Sequence, residues 1–196
     1  MIYVIMAAGK GKRWNNYLGI PKHLIEINGE TLLERTSRLL KENGITNYII
    51  TGNDNRYSKY GKLVAQTNND CEVDRFEVSN EPVCYLYGDV FYTENAIKTI
   101  INTKVKDIMF LGSDQEIFAI KVKELDLFYE HKDRVKKLYL NKKINRCIGW
   151  EVYRSLNNIP FEEHIINNRY TLIMDETDDI DYPEDFEEFK AKREML

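Results

Sequence analysis

The chain has 196 residues, with 28 lysines and arginines against 32 aspartates and glutamates and a formal charge of -4. That length suits one domain with a substantial core, and the acidic balance argues against a general nucleic-acid binder, whose surface is basic. Cys71, Cys84 and Cys147 are odd in number and lie without any Cys-x-x-Cys pair, which speaks for reduced, buried thiols over a disulfide framework or a zinc site.

Ile2 to Ala8 is short, apolar and β-branched, the pattern of a strand buried on both faces. Glycine and charge end that run too soon for a signal peptide or a membrane span, so the expected location is the cytoplasm. Leu32, Leu33, Thr36, Leu39 and Leu40 recur at helical spacing between Thr31 and Gly44, which predicts an amphipathic helix with a cap and a stop. "ITNYIIT" (45–51) predicts a second buried strand, closed by the turn "GNDN". Strand, helix and strand with short connections form a right-handed βαβ unit and imply a parallel sheet.

Further along, the pattern predicts a short helix at "KLVAQT" (62–67) and a face-alternating strand at "EVDRFEV" (72–78). "VCYLYGDVFY" (83–92) predicts a central strand ending at Gly88-Asp89, and "TENAIKTIINT" (93–103) a helix. "DIMFLG" (107–112) predicts a strand, "EIFAIKV" (116–122) an edge or antiparallel strand, and 123–141 a helix. "YTLIMDE" (170–176) is a late strand, and "YPEDFEEFKAKREM" (182–195) a closing helix with Pro183 in its first turn. Strands alternating with helices predict a three-layer α/β/α sandwich on a Rossmann-like, mostly parallel sheet, as one domain over 1–196.

The loop after the first strand carries the chemistry. In "VIMAAGKGKRW" (4–14) two small residues and two glycines leave the strand's C-terminal end, where open α/β sheets bind ligands. Gly9 and Gly11 let the backbone approach an anion, and Lys10, Lys12 and Arg13 add charged donors. A P-loop is absent, and Trp14 stands where a dinucleotide fingerprint needs its third glycine. A solvated basic turn and an anion site both satisfy this loop taken alone.

The longer string "MAAGKGKRW…PKHLIEINGETLLERT" resembles the nucleotidyltransferase superfamily, which includes sugar-phosphate nucleotidyltransferases and phosphocholine cytidylyltransferases. The resemblance implies a fold shared with GT-A glycosyltransferases and a nucleotide held against Ala7, Ala8, Gly9, Lys10, Gly11 and Lys12. It implies catalytic roles for Arg13 and Lys22. "YLYGDVFY" is similar to the strand whose aspartate binds magnesium in that family, here Asp89. "TDDIDYPEDFEEF" looks like the closing motif whose second aspartate lies near the metal, here Asp181. Without the resemblance, Asp89 reads equally as a cap for the helix starting near Thr93, and 178–188 as an acidic, solvated run at a helix N-terminus. Asp178, Asp179, Asp185, Glu187 and Glu188 are taken in that second sense.

The implied reaction is attack of an acceptor phosphate oxygen on the α-phosphorus of a nucleoside triphosphate, releasing pyrophosphate. Two anions must meet, so catalysis is positioning and charge neutralisation. Arg13 with Lys12 would hold the leaving pyrophosphate, Lys22 the α-phosphate, and Asp89 with Asp181 a magnesium ion. No Ser-His or Cys-His nucleophile is apparent, and His23, His131 and His164 read as structural or exposed. The match is nearest to cytidylyltransferases, so CTP and a small phosphorylated acceptor, a phosphosugar or a phosphocholine-like molecule, are the expected substrates. No membrane or nucleic-acid partner is expected, and the protein is expected to be a monomer or homodimer. Two further readings stand beside it: a GT-A glycosyltransferase, which usually has an Asp-x-Asp motif where this chain has Asp89-Val90-Phe91, and a non-catalytic nucleotide-binding protein. The basic cluster 132–146 reads as a solvated face with Val135, Leu138 and Tyr139 beneath it, or as a source of one cation for the acceptor. Tyr92 or Trp150 could line the acceptor pocket.

Overall fold

The computed structural model describes residues 1–76 and 79–194. Strand β1 (Ile2–Met6) sits in the middle of the sheet, and its side chains divide between two cores. Tyr3 and Ile5 point to one face and Val4 and Met6 to the other, as the two-residue period of a strand requires. After the glycine loop come the short strands β2 (Glu26–Ile27) and β3 (Glu30–Thr31), joined by Asn28-Gly29. Helix α1 (Leu32–Glu42) follows, with the Thr31 hydroxyl accepting from the Glu34 amide at 3.1 Å as its N-cap. Strands β4 (Tyr48–Thr51) and β5 (Lys62–Val64) extend the parallel ladder outward from β1.

On the other side of β1 lies β6 (Val83–Tyr87), also parallel, followed by the two-residue β7 (Val90–Phe91) and helix α2 (Glu94–Asn102). Strand β8 (Ile108–Gly112), strand β9 (Ile117–Val122), helix α3 (Leu125–Leu140) and helix α4 (Gly149–Asn157) follow. Strands β10 (Tyr170–Leu172) and β11 (Asp178–Asp179) and helix α5 (Pro183–Glu194) complete the order. The seven-stranded sheet runs β10-β8-β9-β6-β1-β4-β5, with β9 antiparallel to both neighbours.

Three packed clusters make the sandwich. Leu33, Leu39 and Leu40 of α1 and Ala96, Ile97 and Ile100 of α2 cover one face of the sheet. Phe128 and Val135 of α3 and Trp150, Val152 and Tyr153 of α4 cover the other. A smaller core of Trp14, Ile25, Ile27, Leu32, Phe91, Ile180 and Phe186 ties the glycine loop to α5. The mostly parallel α/β sandwich is therefore the observed architecture. Among the described residues no helix is long and apolar enough to cross a membrane.

Several local expectations change. "KLVAQT" forms no helix: Lys62–Val64 completes the ladder beside Ile49–Thr51, and pairing to an open sheet edge outweighs a weak helical pattern. "EVDRFEV" forms no strand over its described part; Glu72–Arg75 is a 3-10 turn, and 77–78 lie outside the described residues. The Asp74 carboxylate accepts from the Asp70 and Cys71 amides at 3.1 and 3.0 Å, which holds the turn, while Val73 and Phe76 both face the core. Strand β9 is antiparallel as one alternative held, but it is central. Tyr139 is exposed, so the buried stripe of α3 is narrower than expected. All three cysteines are free, and the fold brings the Sγ atoms of Cys71 and Cys147 within 2.8 Å of each other.

Candidate active site

The glycine loop is shaped by its tryptophan. Trp14 is buried, donates from Nε1 to the Ile20 carbonyl at 2.8 Å, and packs edge-on against Tyr17 and Phe186. That anchor fixes a bend in which Gly11 has a φ of 55°, a conformation that a side chain disfavours. Lys10, Lys12 and Arg13 are left exposed around it. Where a dinucleotide-binding loop would need a glycine, this chain has a plug.

Three separate segments converge below the loop. Pro21, with φ -61°, leads into a 3-10 turn that presents the buried Lys22. Strand β6 ends at Gly88, whose amide donates to the Met6 carbonyl at 2.9 Å. A Cβ there would lie 2.6 Å from that same oxygen, so only glycine allows the close approach that sets Asp89 beside Lys22. The third segment arrives from the C-terminal region: β11 pairs antiparallel with β7, and the Ile180 amide donates to the Asp89 carbonyl at 3.0 Å. Ile180 is buried, which turns Asp179 and Asp181 on either side of it toward the cavity. Asp185 caps α5 by accepting from the Asp181 and Tyr182 amides at 3.0 and 2.7 Å.

The Lys22 Nζ lies 2.5 Å from Asp89 Oδ2 and 2.8 Å from Asp181 Oδ1, and Arg13 pairs with the other oxygen of Asp181. Burial by itself would lower the Lys22 pKa, but the charges of Asp89 and Asp181 overcome it and raise the group above its ordinary value. Burial works to raise the Asp89 carboxyl, and the Lys22 charge reverses this and holds it at about 2. Arg13, Lys22, Asp89 and Asp181 thus form one charge-alternating cluster. Asp89 is not a helix cap; the Thr93 hydroxyl does that work, accepting from the Ala96 amide at 3.0 Å.

Asp89 and Asp181 place hard carboxylate oxygens around a single cation position, here held by Lys22. That donor set suits magnesium, which keeps several waters and relies on few protein oxygens. Among the described residues no group of three or more histidines, cysteines or carboxylates forms a fuller cage.

Two cavities open on either side of this cluster and share Gly9, Lys10, Gly11, Trp14 and Lys22 as a common wall. One, of about 550 Å³, is lined by Ala7, Ala8 and by polar groups from the loops after β4 and β5, including Asn53, Asp54, Thr67 and Asn69. The other, of about 810 Å³, holds Lys12, Arg13, Asp89 and Asp181, with Tyr87, Glu116, Arg146 and Trp150 farther out. Trp150 stacks on Tyr170 with ring centroids 5.4 Å apart. Tyr92 does not reach either cavity; it is buried, and its hydroxyl donates to the Phe118 carbonyl at 2.5 Å.

Some site groups escaped the sequence reading. Asp179, taken above as solvated, is half-buried, and burial together with Glu116, Asp181 and Asp89 raises its carboxyl to about 8. Glu116 is raised to about 7, first by burial and then by Asp181. The i, i+2 spacing of Asp179 and Asp181 around an isoleucine was the available signal. Glu72 and Arg75 lay hidden in the segment misread as a strand. Of the histidines, His23 is buried behind Lys22 with Nδ1 3.1 Å from the Tyr57 hydroxyl, and burial lowers it to about 4. His131 and His164 contact Ser155 and Trp150, in keeping with structural roles.

Comparison with known proteins bears on the family and the fold. A curated relative, the bifunctional IPC transferase and DIPP synthase of Thermococcus kodakarensis, is 36% identical over 70 residues. That stretch is 36% of this chain but only 16% of the relative. Among solved structures, the CTP:phosphocholine cytidylyltransferase of Streptococcus pneumoniae superposes with a TM-score of 0.60 at 15% identity, covering 98% of this chain and 99% of that one. The inositol-1-phosphate CTP transferase of T. maritima gives 0.60 at 14% identity, covering 97% and 95%. At such identities these two establish a shared fold. The family model described as the MobA-like NTP transferase domain matches residues 3–102, just over half of the sequence, so the chain belongs to that family of nucleotidyltransferases.

Proposed function

We propose that the protein is a magnesium-dependent enzyme that transfers a nucleoside monophosphate, CMP by preference, from its triphosphate to a small phosphorylated acceptor. One observation carries this reading: Arg13, Lys22, Asp89 and Asp181, from separate segments, meet in the larger cavity, and Lys22 lines the smaller one as well. One cavity is then for the nucleotide and the other for the acceptor, with the α-phosphorus between them. The reading takes the protein to act as one domain over 1–196 in the cytoplasm, on small molecules alone.

In the reaction an acceptor phosphate oxygen forms a new bond to the α-phosphorus, and the bond from that phosphorus to the bridging oxygen of the β-phosphate breaks. Pyrophosphate leaves with the bonding electrons. The loop amides from Ala7 to Gly11 and the exposed Lys12 and Arg13 hold the triphosphate. Lys22, now paired with two carboxylates, is positioned to turn toward the α-phosphate and stabilise the charge that builds there. Asp89 and Asp181, freed from Lys22, would hold magnesium, which supplies neutralisation of phosphate oxygens when bound. No residue needs to form a covalent intermediate.

The preference for cytidine rests on the likeness of "PKHLIEINGETLLERT" to cytidylyltransferases, and two structural relatives are CTP-using enzymes. The Thr67 hydroxyl supplies a pairing partner for a small ring in the smaller cavity, whose loops Asn53 braces by bonding the Gln66 backbone. A pyrophosphate-release screen with four nucleotides and a panel of phosphorylated acceptors tests the whole reading. Release that requires both a nucleotide and an acceptor is expected, and none with any pair overturns it. Calorimetry with each nucleotide and magnesium tests the base: tighter binding of GTP or UTP than of CTP refutes cytidine alone.

A further inference from the structure

We propose that Arg75 is the residue that binds the phosphate of the acceptor and aligns it with the α-phosphorus; this rests on the nucleotidyl-transfer reading above. Arg75 lies outside the signature motifs, in the 3-10 turn after β5. Its Nε donates to Asn69 Oδ1 at 2.9 Å, and the Asn69 amide in turn donates to the Ala8 carbonyl of the glycine loop. The guanidinium faces Gly9 across the space of a methyl group: a Cβ built there would meet Nη1, Cζ and Nη2 at 3.4, 3.7 and 3.9 Å. Arg75 is therefore held through one nitrogen, beside the same loop that receives the triphosphate.

The rest of the fork is free to act. Among the described residues Arg75 forms no ion pair, and Nη1 and Nη2 donate no hydrogen bond. That contrasts with Arg13, Arg146 and Arg154, each of which pairs with a carboxylate. A half-buried, immobilised guanidinium with two unused donors in one plane fits two oxygens of a phosphate monoester. Little rotamer entropy remains to be lost when the anion binds.

Arg75 shares its cavity with Lys12 and Arg13, which the reading above gives to the triphosphate, and with the side chains beyond them. Arg75 lines the larger cavity, with Tyr87, Glu116 and Trp150, and is absent from the lining of the smaller one. Glu72, Glu116 and Asp179 line that larger cavity, so a dianion entering it needs a cation beside the reaction point. Arg75 supplies it next to Gly9. The oxygen that Arg75 holds attacks the α-phosphorus, and the electron pair of the broken bond leaves with pyrophosphate.

The test uses Arg75→Ala and Arg75→Lys in the full chain. Inorganic phosphate and phosphocholine serve as acceptor probes by phosphorus NMR titration in the presence of saturating CTP and magnesium, and CTP binding without acceptor is measured by calorimetry. Loss of the fork should weaken the probes roughly tenfold to a hundredfold while CTP affinity stays within about twofold. Arg75→Lys should fall between, and added guanidinium ion should restore part of the loss in Arg75→Ala. Equal weakening of CTP assigns Arg75 to the triphosphate and overturns the proposal, as do unchanged probe affinities. If Arg75→Ala fails to fold, Arg75→Lys against wild type carries the same comparison. Wild-type protein that binds no nucleotide would count against the nucleotidyl-transfer reading, whereas the phosphate titration without CTP still decides the role of Arg75.

Discussion

The two cavities that meet at Lys22 are built differently. The smaller one is made by loops that follow the parallel strands β1, β4 and β5, and its wall is largely amides, hydroxyls and backbone. The larger one is walled by carboxylates, arginines and an indole from β9, α4 and β11, which are dispersed along the chain. The matched family region ends at residue 102, so Glu116, Arg146, Trp150 and Asp179 all lie beyond it. Chemistry shared by a family concentrates in contiguous backbone, because phosphate recognition needs consecutive amides. On the proposed reading, what is joined to the nucleotide is decided by side chains that only the fold assembles.

The strongest test of this division is the residue on the shared wall. Lys22→Ala should lower kcat/KM by about 10²- to 10³-fold, the range for removing one charge-stabilising donor at a transition state. Circular dichroism should show the fold retained. Near-wild-type turnover would mean that the two cavities do not share a reaction point. Next, Asp89→Asn and Asp181→Asn should each raise the magnesium concentration for half-maximal activity by at least about tenfold, since few protein oxygens hold the ion. An unchanged titration for Asp181→Asn would move the metal role to Asp179, its neighbour on the same side of the extended chain.

A smaller effect separates the two sides directly. Trp150→Ala should raise the acceptor KM roughly three- to tenfold and leave CTP binding unchanged, whereas Asn53→Ala should do the reverse. Parallel effects of both variants on both substrates would erase the distinction. Thermal melts are needed alongside, because Trp150 also stacks on Tyr170.

The smallest expected effect lies behind the wall. Burial lowers the His23 pKa from 6.5 to about 4, so between those values the unfolded chain binds a proton that the native protein refuses. Stability attributable to His23 is complete above pH 6.5 and is lost as pH falls toward 4, by up to about 3 kcal/mol. Denaturant melts of wild type and His23→Gln should show a shallower acid slope for the variant in that window. Identical slopes would mean that His23 titrates normally. Activity measured in the same window would show whether neutral His23 matters to Lys22.

Much of this was legible in the primary structure. Buried runs such as Ile2–Met6, the capped helix after Thr31 and the alternation of strands with helices follow from local periodicity, and they suffice for an α/β sandwich. Gly9 and Gly11 stood out as a glycine turn at the end of a buried strand, whereas Lys22 and Asp89 stood out only through the resemblance to the nucleotidyltransferase superfamily. Short elements were not legible: Lys62–Val64 became a strand by pairing with Tyr48–Thr51, and Glu72–Arg75 became a turn by capping through Asp74. Neither force acts within the local pattern.

The amino-acid sequence by itself determined the layer architecture, the glycine loop and the identity of the charges offered to a nucleotide, since each arises among residues a few positions apart. Only the tertiary structure decided that Asp181 joins Asp89 at Lys22, that Asp179 lines the cavity, and that Arg75 lies beside Gly9 with two donors unused among the described residues. Those outcomes depend on β11 pairing with β7 and on a turn packing under a loop some 60 residues away in sequence. Electrostatics and burial of that kind are properties of proximity in space, and proximity is what folding adds.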